Sequence, residues 1–344
     1  MSTTLAGDPD GMMNAVLGLP DHFELGAASA RGVGTALRGA TEVLVCGMGG
    51  SALPGDFLQL YAAPRGLRVE VVRDYEVRHR PLGPHVLAIC SSYSGTTEET
   101  LSVFEQVRAA GCRVATVSAG GLLERDSRAA GLPHVHLDRP DPMFQPRAAM
   151  GFFFGAFVTL LDDAGLLRNT AVDLEALVSG LRGLTDIDAQ ARRLARALAG
   201  RIPVLYASDP FVHTAARVAK IKLNENSKMP AFFNGLPELN HNELVGFTQL
   251  TGPFTAVMLR DPDLQAAMVR RFDVTAETLR DVGVPVEIVE MVRGTPELKL
   301  FATLHLFDVA SVHLALEAGI DPTPVAMVED FKRRLVERAG TATR

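Results

Sequence analysis

Glu42-Val43-Leu44-Val45-Cys46-Gly47-Met48-Gly49-Gly50-Ser51 is the stretch whose reading decides the fold. Its first half is a short apolar run with the pattern of a strand buried on both faces. Glycines then turn the chain, and a helical run starts from Ala52. A buried strand that delivers directly into a glycine turn and a helix opens a βα unit. Working outward, residues 69–72, 86–91, 113–117 and 134–137 are further short apolar runs, with helix-like segments such as 97–109 between most of them. Such alternation over about a hundred residues predicts a parallel, doubly wound sheet.

Residues 149–161 read as a very apolar helix, and 173–198 as one long amphipathic stretch joining two units. The alternation then returns, with strands at 202–207, 255–259 and 285–292 and helices at 210–220, 264–282, 298–317 and 324–337. Residues 1–40 read as a helical leader and 339–344 as a frayed tail. The expected architecture is α/β: two αβα sandwich domains with mainly parallel sheets, at 41–165 and 175–344.

Composition narrows the function. With 34 basic and 40 acidic residues among 344, the net charge of -6 argues against nonspecific binding to nucleic acid or an acidic membrane. Three cysteines, Cys46, Cys90 and Cys112, lack metal-ligand spacing and predict reduced thiols. The first thirty residues lack a signal-peptide pattern, and no run reads as a membrane span. These features predict a soluble cytoplasmic chain.

Three polar motifs stand out. Gly47 to Ser51 lies between a strand and a helix, where free N–H groups point at an incoming anion. The third glycine of a dinucleotide fingerprint and the lysine of a Walker loop are missing; a tight turn without a ligand is the alternative. Ser91-Ser92-Tyr93-Ser94-Gly95-Thr96-Thr97-Glu98-Glu99 follows the strand V-L-A-I-C. Its hydroxyls suit a phosphate monoester at a helix start, and Thr96 with Glu99 equally fits a capping box. The third motif runs through residues 222–247 and places Glu225 and, sixteen positions later, His241, each between two asparagines. A carboxylate and an imidazole are the usual tools of proton transfer; two asparagine caps are the plainer reading.

Taken together, these motifs, with Gly55-Asp56, Arg73-Asp74-Tyr75, Gln145-Pro146-Arg147-Ala148-Ala149 and Gly319-Ile320-Asp321-Pro322-Thr323-Pro324-Val325, resemble the sugar isomerase (SIS) domain. More narrowly they resemble the bifunctional phosphoglucose/phosphomannose isomerases, across residues 41–335. The resemblance implies two SIS-type domains and a sugar 6-phosphate substrate, with aldose–ketose isomerisation through a cis-enediol. It implies that Gly49, Gly50, Ser51, Ser92, Ser94 and Thr97 bind the phosphate and that Glu225 moves the proton between C1 and C2. It further implies that His241 opens the sugar ring from a partner subunit, so that a homodimer shares its sites, while Arg147 and Lys332 line the sugar end. A guanidinium suits stabilisation of a developing enediolate, although an arginine after Pro146 also fits a simple ion pair. Lys332 lies among charged residues and by itself reads as a solvated face. Enediol chemistry needs no metal or organic cofactor, and none is expected; the remaining histidines read as structural. Thr96 stands where the family commonly has Asn, which motivates a second reading, a noncatalytic sugar-phosphate-binding regulator.

Overall fold

The five apolar runs of the first half pair into one parallel sheet. The computed structural model describes residues 5–342. Helices α1 (Met12–Leu17) and α2 (Leu19–Ala30) precede β1 (Glu42–Gly47), α3 (Gly49–Ala62), β2 (Arg68–Val72), β3 (Val86–Ser91), α4 (Glu98–Ala109), β4 (Arg113–Ser118), α5 (Gly121–Ala129) and β5 (His134–His136). Helices α6 (Met150–Asp163), α7 (Thr170–Arg182) and α8 (Ile187–Leu198) lead to β6 (Ile202–Ser208), α9 (Arg217–Glu225), β7 (Phe232–Leu236) and α10 (Glu243–Gly246). The chain continues through β8 (Phe254–Arg260), α11 (Ala266–Asp281), β9 (Val286–Glu290), α12 (Pro296–Glu317) and α13 (Ala326–Ala342).

The sheets run β2-β1-β3-β4-β5 and β7-β6-β8-β9, and every pair in them is parallel. The α/β class with two parallel sheets is therefore as expected. In the first sheet the strand order reverses between β1 and β3. A crevice opens at such a switch point beyond the carboxyl ends of the strands. Both glycine- and hydroxyl-rich loops leave from those two strand ends.

The differences from the sequence reading have physical causes. Phe232–Leu236 forms strand β7, although it reads as a loop between two polar clusters. It is a five-residue edge strand, F-F-N-G-L, and an edge does not demand a continuous apolar run. The stretch 173–198 divides into α7 and α8 around Gly183 and Thr185. The helix expected at 210–220 begins as a π-type turn at Val212–Ala216 and extends to Glu225. The final helix reaches Ala342 rather than fraying from 339; residues 343–344 and 1–4 lie outside the described residues.

Residues 296–317 also correct the reading of membrane spans. By length and hydropathy this helix passes as one, but 89% of its apolar window is buried inside the protein. It is a central core helix, packed against α8, α9, α3 and α1, and an all-round apolar helix belongs there. Phe301 from α12 meets Phe23, Phe57 and Phe154 edge-on at 4.7 to 5.0 Å. One apolar core thus runs from the first unit into the second. The segment before β1 joins it: α2 lies so close to α6 that a side chain at Gly26 would meet the Phe152 carbonyl oxygen at 2.0 Å.

Candidate active site

The loops at the switch point are tied together by their own hydroxyls. Ser51, buried in the first turn of α3, accepts a hydrogen bond from the Tyr93 amide at 2.9 Å, and Ser91 Oγ donates to the Ser51 carbonyl at 2.8 Å. Ser92 Oγ lies 2.8 Å from Thr97 Oγ1 and accepts from the Gly95 amide at 3.1 Å. Ser94 Oγ accepts from the Thr96 hydroxyl at 3.0 Å. The capping box is absent: Thr97, not Thr96, is the N-cap of α4, and its side chain makes no cap bond. The first-turn amides of α4 are therefore left for another acceptor, with the helix dipole aligned toward it.

Gly95 is a genuine backbone requirement. It adopts φ +68, and a Cβ there would lie 1.8 Å from the Gly120 carbonyl oxygen. Gly50 serves close approach too, but of protein to protein: its Cβ would meet the Pro146 carbonyl oxygen at 2.8 Å. Gly49 takes φ +49 with open space around it. The first turn of α3 thus joins the serine loop on one side and the Arg147 turn on the other.

Arg147 is 3% exposed and its bonds are assigned in detail. Nε donates to Asn226 Oδ1 at 2.6 Å, and Nη2 to the carbonyls of Pro322 and Thr323, each at 2.8 Å. Nη1 contacts Gln145 Oε1 at 3.3 Å and Glu225 Oε2 at 3.7 Å. Burial pulls the guanidinium below its ordinary value, opposed by Glu225, Asp308 and Asp321; it stays charged. Three of its contacts fix the group, and the Nη1 edge faces the Glu225 carboxylate, whose side chain is 35% exposed.

Beneath this pair lies a polar layer that sequence reasoning missed. Lys222, wholly buried, donates to the Arg147 carbonyl at 2.5 Å, and its ammonium is 2.8 Å from Asp308 Oδ1. That second contact is an ion pair without good hydrogen-bond alignment. Asn226 Nδ2 donates to Ser311 Oγ at 2.9 Å. Lys228, with φ 57, donates to the carbonyls of Glu225 and Pro322. Desolvation, then the Arg147 charge, lower its ammonium to about 8. The N-E-N spacing carried a signal for Asn226. Asp308 and Ser311 carried only their oddity as polar residues three apart on an apolar helix.

Two of the expected residues are not brought to this cluster. Lys332 is exposed on α13 and pairs with Glu329 at 2.8 Å; no hydrogen bond or ion pair among the described residues joins it to Arg147 or Glu225. His241 is exposed at the end of a short 3-10 turn after β7. Glu225 ends α9, the crossover that returns from the carboxyl end of β6 to the start of β7. His241 follows the far end of β7. The two residues therefore lie beyond opposite ends of β7, separated by roughly 15 Å of strand. Asp56 and Arg73, from two further motifs, do meet at 2.5 Å, and Arg217 of the second unit joins them at 3.3 Å.

This architecture and these motifs have known counterparts. The family model for the bacterial phospho-glucose isomerase C-terminal SIS domain matches residues 187–335. The bifunctional phosphoglucose/phosphomannose isomerase of Caldicellulosiruptor bescii is 30% identical, covering 95% of this chain and 99% of its own. The protein of the same name from Aquifex aeolicus is 33% identical over 86% of this chain and 91% of its own. Among solved structures, a hypothetical protein from Thermus thermophilus superposes with a TM-score of 0.75 over 96% of this chain and 91% of its own; at 16% identity this is a likeness of fold. With relatives at this identity along nearly its whole length, the chain belongs to the bifunctional phosphoglucose/phosphomannose isomerase family.

Proposed function

We propose that the protein is an aldose–ketose isomerase that interconverts glucose 6-phosphate, and likewise mannose 6-phosphate, with fructose 6-phosphate. The observation that carries this is the Glu225 carboxylate set 3.7 Å from the outward edge of a buried, otherwise fixed guanidinium. In this reading the Glu225 carboxylate removes the proton from C2 and returns it to C1. Arg147 Nη1 faces the oxygen on which negative charge develops, in surroundings that need no reorganisation. The phosphate is held by the amides and hydroxyls of Gly49 to Ser51 and Ser92 to Thr97. Relatives named as isomerases along the whole chain favour catalysis over the noncatalytic regulator. The domain assignment goes with this reading: phosphate binding at 41–165, proton transfer at 175–344, in a cytoplasmic metabolic enzyme. Lys332 is the least supported member of the set.

The substitution Glu225→Ala is expected to lower turnover of both aldoses by at least about 10²-fold, the ordinary share of a general base. Tritium release from aldose labelled at C2 measures the step directly. Wild-type release from that variant would remove Glu225 from the mechanism, and retained binding of fructose 6-phosphate would show that the phosphate site is intact.

The placement of Glu225 and His241 at opposite ends of β7 supports a shared site in a homodimer. So do the exposed apolar side chains Phe232, Val245 and Leu250 in the segment from β7 to β8, and Met327 and Phe331 along α13. If each site takes Glu225 from one chain and His241 from the other, randomly mixed Glu225→Ala and His241→Ala chains regain about a quarter of wild-type activity, since half the dimers carry one intact site. Mixtures as inactive as the separate variants would refute the sharing.

A further inference from the structure

We infer that Glu124, His134 and His136 form a binding site for a divalent transition-metal ion, zinc being the best match to the donor set. None of the three is among the residues of the proposed isomerase reaction. The sequence shows only two histidines on a short strand. The fold adds the third donor from the first turn of α5, and the ligand atoms of all three residues lie within 4.8 Å of one another.

The hydrogen-bond directions point to a cation. His134 is only 2% exposed at its side chain. Its Nδ1 lies 2.7 Å from Thr116 Oγ1, which gives its own proton to Ser127 Oγ at 2.8 Å. The threonine hydroxyl is thereby left to accept, so Nδ1 carries the imidazole proton and Nε2 the lone pair. That buried Nε2 has no hydrogen-bond partner and is aimed at Glu124 Oε2, 3.6 Å away. A lone pair facing a carboxylate oxygen is unfavourable unless something positive sits between them.

The remaining donors are arranged to allow it. Arg128 bonds the other Glu124 oxygen, Oε1, at 2.8 Å, leaving Oε2 toward the imidazoles. His136 Nδ1 is 2.9 Å from the same Oε2, and its Nε2 lies 3.8 Å from Asp138 Oδ1. When Nδ1 becomes a ligand, its proton moves to the Nε2 side, where Asp138 accepts it. Both imidazoles then have an outer partner on the nitrogen that does not bind metal, the arrangement by which proteins fix ligating histidines. Two imidazoles and one carboxylate, with a fourth position open to water, suit zinc in tetrahedral geometry. The ion would clip the edge strand β5 to α5, just before the chain departs for the turn that carries Arg147.

The test uses the full chain, stripped with a chelator and dialysed against zinc(II), with bound metal measured by elemental analysis and cobalt(II) as the spectroscopic substitute. One ion per chain is expected, with cobalt absorption of four-coordinate intensity. His136→Ala, at an exposed position that does not threaten folding, is expected to reduce bound metal to background. Thr116→Val is expected to weaken affinity by about 10- to 100-fold, the usual cost of losing an outer partner. Failure to bind one ion per chain, or binding unchanged in His136→Ala, would overturn the assignment.

Discussion

The substitution Lys222→Met tests whether the buried layer under Arg147 positions the site. Lys222 and Asp308 have side chains 0% and 4% exposed, and their charges lie 2.8 Å apart. Methionine keeps most of the stem volume but strands the Asp308 carboxylate in the core. Removing one partner of a buried pair costs about 3–5 kcal/mol, whereas replacing both by apolar groups is often close to neutral. Lys222→Met alone is therefore expected to lose stability in that range at pH 7, and Lys222→Met with Asp308→Leu to regain most of it. Burial already raises Asp308 above the ordinary carboxyl value, opposed by Lys222. The native state thus holds this proton more tightly than the unfolded chain, so the stranded group favours folding below its unfolded pKa and loses that favour as pH rises through the raised value. The single variant should recover stability on acidification, and the double variant should not share that recovery. Urea unfolding across pH measures both. A loss under about 1 kcal/mol in the single variant, or a double variant no more stable than the single, would refute a coupled buried pair. Because the same ammonium holds the Arg147 carbonyl, the double variant is also expected to turn over more slowly than wild type even where it is fully folded.

Burial is the leading cause that holds His22 and His305 down to about 4. The unfolded chain takes these protons first, near 6.5, so each residue withdraws up to roughly 3 kcal/mol of stability between pH 6.5 and 4; His305→Leu should make that decline measurably shallower in urea unfolding, and an unchanged slope would contradict a buried neutral imidazole. Gly95→Ala forces a side chain against the Gly120 carbonyl oxygen in a left-handed backbone. Strain of about 1–3 kcal/mol in that loop should weaken sugar-phosphate binding at least about tenfold by calorimetry, and wild-type affinity would show that the serine loop does not hold the phosphate.

Much of the first sheet was legible because its strands are buried on both faces, so V-L-A-I-C and E-V-L-V-C carry their burial in composition. Strand β7 was not, because an edge strand exposes Phe232 and tolerates Asn234 and Gly235. Helix α12 was legible as a helix but not as the shared core, since an all-round apolar helix gives the same pattern in lipid and in protein. At the candidate site, Glu225 could be picked out by its spacing and Arg147 through the family resemblance, and the geometry adds their contact. The partners that hold Arg147, a side chain 79 residues away and two carbonyls beyond 320, are tertiary facts with no local pattern. The capping box illustrates the opposite failure. Thr96 and Glu99 have the right spacing, but Thr97 is the cap and Thr96 turns to Ser94, so a local motif was present without its local structure.

His241 stands sixteen positions after Glu225, and a strand of five residues lies between them. In a parallel sheet a crossover helix and the strand after it run in opposite senses. A residue ending the helix and one following the strand therefore lie at opposite ends of that strand, whatever their side chains prefer. Glu225 lies at the end that meets Arg147 of the first unit, and the exposed His241 beyond the other end of β7. Within one chain this leaves the Glu225 carboxylate and the Arg147 guanidinium assembled and the His241 imidazole exposed away from them. In the shared-site reading proposed above, the imidazole at one sugar is therefore supplied by a second chain, and the question about catalysis becomes one about assembly.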